Sequence, residues 1–221
     1  MDKYIVKVLN TEFVTHNVKR FVIEKPAGYS YIPGQATDVS INKPGFENEL
    51  RPFTFTSLPD DDHLEFTIKI YTGHNGITEK LLDINAGDEL IIHEVFGAIT
   101  YKGPGIFIAG GAGVTPFIAI LRHLNARHEL SNQLLLFANH TESDIILKDE
   151  FSRMLGKNFI NVIAETQDIT YKSGHIDSGL LKQYIAEGKY YYICGPDGFI
   201  AAMINHLNGL GVSSDQIVIE Q

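Results

Sequence analysis

The sequence predicts a β + α/β protein: an antiparallel β-barrel over residues 1–102, followed by a parallel-sheet α/β domain over residues 103–221. Three observations carry this prediction. The first hundred residues break into short extended runs separated by turn residues, the spacing of a barrel or sandwich. Beyond Lys102-Gly103-Pro104-Gly105 the runs become continuously apolar and alternate with helical stretches, as strands covered on both faces require. The length, 221 residues, suits two domains of about 100 residues each.

In chain order, barrel strands are expected at 4–9, 20–24, 37–41, 52–56, 64–71 and 89–93. Residues 64–70 alternate apolar and polar side chains, so one face of that strand is expected to be wet. Residues 76–82 suit one helix. In the second half, strands are expected at 106–109, 134–138, 159–164, 190–194 and 217–219. Phe199, Ile200, Met203, Ile204 and Leu207 form one apolar stripe of a last helix, which Gly209 and Gly211 end.

Composition excludes several classes of function. There are ten basic against fifteen acidic residues before residue 103 and eight against twelve after it, so neither half suits nucleic acid or an anionic membrane as its main partner. The single cysteine, Cys194, has no internal disulfide partner and cannot hold an iron–sulfur cluster, which needs about four thiolates. The start, MDKYIVKVLN, lacks the basic flank and long apolar core of a signal peptide, so a cytoplasmic location is expected. Residues 103–121 carry no charge over a bilayer-spanning length, but five glycines and two prolines favour a buried strand, a turn and a helix. The defining residues of hydrolase elbows, zincins and P-loops are absent. The nine histidines lack ligand spacing, and Asp60-Asp61-Asp62 reads as a solvated turn.

The strongest local signal is Gly110-Gly111-Ala112-Gly113-Val114-Thr115-Pro116, between a buried strand and an amphipathic stretch. Glycines let backbone N–H groups approach a ligand, Thr115 suits an N-cap and Pro116 the first helical position. A helix opening there presents its positive end to phosphate or pyrophosphate. The loop departs from G-x-G-x-x-G because Pro116 holds the sixth place, and no acid lies about 20 residues on. The alternative is a glycine turn that only lets strand and helix pack.

Several further motifs occur in a particular order. Pro33-Gly34-Gln35 precedes a barrel strand; Arg51-Pro52-Phe53-Thr54 follows; Gly76-Ile77-Thr78 is succeeded by Leu81 and Gly87-Asp88; then come the glycine loop, Cys194-Gly195-Pro196 and Glu220. Together they resemble the ferredoxin-NADP reductase superfamily, in particular its short flavodoxin or ferredoxin reductase-like members, over nearly the whole chain. The resemblance implies a flavin-binding antiparallel barrel followed by a nicotinamide-nucleotide domain. It assigns Arg51 to flavin phosphate, Phe53 (beside Pro52) to the isoalloxazine ring and Thr54 to the neighbourhood of its N5. Gly76, Ile77 and Thr78 would hold the flavin pyrophosphate at a helix start. Gly110, Gly111, Ala112, Gly113, Val114 and Thr115 would hold the nicotinamide cofactor's pyrophosphate, and Cys194, Gly195 and Pro196 would face the nicotinamide. Thr54, Cys194 and Glu220 would be the catalytic set, with no metal. The ordinary alternatives are a surface ion pair for Arg51, a barrel-core place for Phe53 and simple β-propensity for Thr54.

Some residues depart from the family pattern. Phe53 stands where tyrosine is common, and Ala112 where threonine is frequent. The sequence ends at Glu220-Gln221 where many members continue to a terminal aromatic, so nicotinamide is expected to reach the flavin without displacing a ring unless another residue covers it.

The resemblance implies an FAD-containing, NAD(P)H-dependent reductase that passes electrons to a separate flavodoxin, ferredoxin or oxygenase component. A free-flavin reductase, an electron-transfer subunit and a non-catalytic nucleotide-binding module remain as alternatives. Such carriers are commonly acidic, so a chain of net charge −9 needs a local basic patch, expected around Lys19, Arg20 and Lys25. After strand 134–138 no Arg or Lys occurs between Asn132 and Leu147, and Glu142 and Asp144 would repel a 2′-phosphate, so NADH is favoured over NADPH. Glu142 is the expected acceptor for a free ribose hydroxyl.

Overall fold

A computed structural model describes residues 3–73, 76–97 and 99–220. The first six strands are β1 (Tyr4–Thr15), β2 (Val18–Glu24), β3 (Ala36–Ile41), β4 (Arg51–Thr54), β5 (His63–Lys69) and β6 (Glu89–Phe96). They pair antiparallel in the order β4-β3-β6-β1-β2-β5. β1 serves both halves of this sheet: Tyr4 to Lys7 pair with β6, Val8 to Thr15 pair with β2, and a register shift between Val8 and Asn10 bends the strand. A bridge from Phe55, just past β4, to Phe66 on β5 brings the two edges together and closes the barrel. Its core gathers Val39, Ile41, Phe55, Leu64, Phe66, Leu90 and Ile92, with Ile77 of the short helix α1 (Ile77–Lys80) plugging one end.

The second sheet contains β7 (Gly105–Gly110), β8 (Leu134–Asn139), β9 (Phe159–Ile163), β10 (Lys172–Ser173), β11 (Tyr190–Cys194) and β12 (Ile217–Val218), all parallel, in the order β10-β9-β8-β7-β11-β12. Helices α2 (Thr115–Ala126) and α3 (Lys148–Leu155) cover one face, where Phe117, Leu121 and Phe151 pack with Phe107, Phe137 and Tyr192. Helices α4 (Ser178–Leu181) and α5 (Asp197–Gly209) cover the other, where Leu180, Met203 and Leu207 meet Ile106, Ile108, Leu136 and Ile193. Alternate residues of each strand therefore feed opposite cores, which is why these runs are apolar throughout.

The uncharged stretch 103–121 folds as β7, a 3-10 turn and the first half of α2, and among the described residues no helix is long and apolar enough to cross a membrane. One expectation is overturned. The polar side of β5 is not wet: Glu65 is 5% exposed and Thr67 is 4% exposed, because Arg122 of α2 in the second unit lies against Glu65 and the Thr67 hydroxyl pairs with that of Thr56. β10 and α4, at two and four residues, are too short for periodicity to reveal.

Candidate functional site

The strand order reverses between β7 and β11: the chain leaves β7 for β8 and β9 on one side and returns to β11 on the other. Such a switch point leaves a crevice at the carboxyl ends of the strands. A cavity of about 580 Å³ opens there, walled by Gly110 to Gly113, Asn139, His140, Asp144, His175, Gly195, Pro196 and Phe199. Lys69 and Tyr71 of the barrel complete it, so both units build one pocket.

The glycine loop and the Cys194-Gly195 turn touch directly. A Cβ on Gly113 would stand 2.3 Å from the Cys194 carbonyl oxygen and 2.5 Å from the Gly195 nitrogen. A Cβ on Gly195 would meet the Phe199 ring at 2.7 Å, and that same ring lies over Gly110. The absence of side chains thus brings two main-chain segments and one aromatic ring together at the cavity floor. Thr115 is not the N-cap the sequence suggests: Gly111, with φ of +52°, starts a 3-10 turn over Gly111–Val114 that runs straight into α2, so Thr115 is already helical. Pro116 does lie in the first turn of α2.

Of the residues singled out in the sequence, the cavity gathers Gly110, Gly111, Ala112, Gly113, Gly195 and Pro196. Val114 is fully buried beneath it. Cys194 is 8% exposed and joins the apolar cluster behind the wall. Burial, then the negative charge of Glu220, push its thiol up to about 12, against the Gly195 amide, so the sulfur is protonated at neutral pH.

The barrel residues lie outside this cavity. Arg51 and Pro52 are exposed on β4; Arg51 Nη1 donates to the Leu50 carbonyl at 2.7 Å, and no ion pair among the described residues involves it. Phe53 is half-buried, its ring 6.5 Å from Phe66, so one face packs on the barrel core and the rest stays open. Thr54 Oγ1 is buried with no hydrogen-bond partner, an orphaned donor on the residue that follows Phe53 in β4. That fits a planar, polar-edged cofactor, since such groups are otherwise costly. Gly76 is the N-cap of α1 and Thr78 is half-buried, while the Ile77 side chain belongs to the core and leaves only its backbone for a ligand.

Sequence reasoning placed the stretch Asn139 to Asp144 at the adenosine ribose for its charges alone, and gave several wall residues no role. Asn139, at the end of β8, is 8% exposed, and both its amide atoms lack protein partners, a second orphaned group on this cavity. Lys69, Tyr71, His175 and Phe199 also carried no motif. Glu142 is not free for a ribose: Lys148 Nζ and Tyr171 Oη each donate to it at 2.6 Å, and those bonds hold its carboxyl below the usual range. The expected basic patch is also spent internally. Lys19 is 3% exposed and donates to the carbonyls of Leu81, Leu82 and Ile84; Arg20 pairs with Glu12 and Glu65; Lys25 donates to the carbonyls of Pro59 and Asp61.

A barrel whose strand β4 carries a half-open ring and then an orphaned hydroxyl, joined to a parallel sheet with a glycine-floored crevice, defines a two-domain dinucleotide-binding protein. Family models agree: an FAD-binding domain matches residues 3–104 and an oxidoreductase NAD-binding domain matches residues 107–204. The chain belongs to the ferredoxin-NADP reductase-like family. It is 31% identical over 216 residues to the reductase component of propane 2-monooxygenase from Rhodococcus jostii (strain RHA1), covering 89% of this chain and 57% of that one. It is 26% identical over 255 residues to NADH-cytochrome b5 reductase 1 of Rattus norvegicus, covering 96% and 83%. The chain spans less than two thirds of the propane monooxygenase reductases it matches. In fold it is similar to the FAD/NAD-binding domain of nitric oxide dioxygenase from Vibrio cholerae O1 biovar El Tor (TM-score 0.87, 21% identity, 99% and 98% covered). It is also similar in fold to a ferredoxin NADP+ reductase from Neisseria gonorrhoeae with bound FAD and NADP (0.82, 19%, 96% and 92%).

Proposed function

We propose that the chain is an FAD-dependent NAD(P)H reductase that passes electrons to a separate protein acceptor. The observation that carries this reading is the shared pocket, with a glycine cradle from the parallel sheet on one side and barrel residues Lys69 and Tyr71 on the other. Bound FAD supplies the exchange between a hydride donor and one-electron acceptors; the protein aligns and shields it. In this reading Arg51 binds flavin phosphate, Phe53 packs on the ring and Thr54 donates its hydrogen bond to the ring edge. The Gly76, Ile77 and Thr78 backbone completes the flavin site. The Gly110 to Thr115 loop carries the nicotinamide cofactor's pyrophosphate, and Cys194, Gly195 and Pro196 border the nicotinamide. A protonated Cys194, kept so by burial and by Glu220, sets the approach sterically and does not attack.

The domain boundary is placed near residue 102. NADH is the favoured donor: Lys148, the cation nearest the adenosine end in sequence, is held by Glu142 and Tyr171, and on the pocket wall the charge of Lys69 is set against that of Asp144, which opposes a 2′-phosphate. Relatives named NADH-cytochrome b5 reductase support that preference. Relatives named as monooxygenase reductase components favour an oxygenase component as acceptor, with flavodoxin or ferredoxin in the same role. One buried, unpaired cysteine suits the cytoplasm. Anaerobic mixing with NADH and NADPH tests the reading: the flavin band should bleach, faster with NADH, and released flavin should be FAD. No bleaching with either nucleotide refutes it.

A further inference from the structure

We infer that Arg122 is a positioning residue that fixes the nicotinamide-nucleotide cradle against the flavin-binding strand, an inference that rests on the reductase reading. Arg122 lies on α2 seven residues beyond Thr115, so the helix that starts at the glycine loop carries its guanidinium about 10.5 Å further along. That guanidinium reaches into the barrel. Nη1 donates to the Thr56 carbonyl at 2.7 Å and to Glu65 Oε1 at 2.7 Å. Nε and Nη2 bind Glu150 of α3 at 2.6 and 2.9 Å, the two-pronged geometry only arginine supplies.

The barrel partners are connected to the flavin strand. Thr56 is two residues beyond Thr54, its N–H donates to the Glu65 carbonyl at 2.8 Å, and its hydroxyl donates to Glu65 Oε1 at 2.7 Å. Glu65 adjoins Phe66, which bridges to Phe55. One rigid path therefore runs from the glycine loop through α2 and Arg122 to the residues that follow Arg51-Pro52-Phe53-Thr54. The remaining charges at this junction are Arg20, 3.6 Å from Glu65 and paired with Glu12, together with Asp61 and Arg153 on the adjoining cleft. A second contact between the two units, His16 Nε2 to Asp144 Oδ1 at 3.7 Å, is longer, is an ion pair only with the histidine protonated, and has its histidine exposed. Arg122 is thus the stronger constraint on how the two cofactor sites face each other.

The test uses the FAD-loaded full chain and its Glu65→Gln, Arg122→Met and combined variants. Glu65→Gln keeps the shape of a buried side chain and an acceptor for Thr56, which guards against loss of folding. Flavin content and NADH affinity should stay within threefold of the parent. The limiting rate of flavin reduction at saturating NADH should fall by roughly tenfold or more, since a displacement of about 1 Å costs up to about a hundredfold. The combined variant should be no slower than the worse single one. Spin labels on Asn48→Cys and Glu187→Cys should give a narrow distance distribution in the parent and a broader or shifted one in each variant. Unchanged rates overturn the inference, and so does a slowed rate with an unchanged distribution. If neither nucleotide bleaches the parent, the reductase reading fails, and the distance distributions alone then decide whether Arg122 sets the geometry.

Discussion

Substituting alanine for Gly113 tests whether the glycine loop is a packed floor rather than a spacer. The new methyl would lie 2.3 Å from the Cys194 oxygen, 2.4 Å from its carbonyl carbon and 2.5 Å from the Gly195 nitrogen. Ordinary contact begins near 3.4 Å, so main chain must move by about 1 Å. None of the three atoms belongs to a side chain that can rotate away, and Cys194 is tied into the ladder with Ala109 of β7. Overpacking of this kind costs about 1–3 kcal/mol, and the rigid neighbours place it at the upper end. For a chain of this size that lowers the melting temperature by about 6–12 °C. Gly198→Ala on α5, where nothing lies within 4 Å of the added carbon, is the control and should be neutral or slightly stabilising. Thermal unfolding by circular dichroism, paired with NADH titration of each variant, reads both consequences. A Gly113→Ala protein that melts within 1 °C of the parent and binds NADH equally well would refute the argument.

Three further outcomes are expected. Arg51→Ala should weaken flavin binding by about 1.5–3 kcal/mol, the scale of a hydrogen bond to a charged group, without lowering the stability of the flavin-free protein; flavin release by ultrafiltration measures it, and unchanged retention would count against a phosphate clamp. Thr54→Val removes a buried hydroxyl with no protein partner, so the flavin-free protein should become as stable or more stable while flavin affinity falls; a loss of stability in the flavin-free form would mean that the hydroxyl serves the protein itself. At alkaline pH, Cys194 and Tyr192, both pushed up to about 12 mainly by burial, keep their protons in the fold after the unfolded chain has released them near 9 and 10. Their stabilising contribution is complete below pH 9 and fades between pH 9 and 12, by up to about 1.4 kcal/mol per pH unit per group. Urea midpoints at pH 8 and 10.5 should therefore fall less in Cys194→Ala than in the parent, and an equal fall would exclude the thiol as a contributor.

Local patterning alone revealed the glycine loop and every strand but β10, because each of these is encoded within a window of ten or so residues. Apolar alternation marks a barrel strand, a continuous apolar run marks a strand with two covered faces, and Gly110 to Pro116 announces a strand-to-helix turn wherever it occurs. The motif order from Pro33 to Glu220 added the family. What each charged or polar residue does was decided only in three dimensions. Glu65 reads as the wet side of β5, yet Arg122, 57 positions later, covers it; Lys19, Arg20 and Lys25 read as a docking patch, yet each meets carbonyls or carboxylates from distant segments. Asn139, Lys69, Tyr71 and Phe199 carry at most the pattern of their strand or helix, which says nothing of a ligand, and become pocket walls only when β8, β5 and α5 converge. Hydrophobic periodicity is a property of neighbours in the chain, whereas the desolvation that turns a polar side chain into an ion pair or an orphaned donor depends on what folds against it.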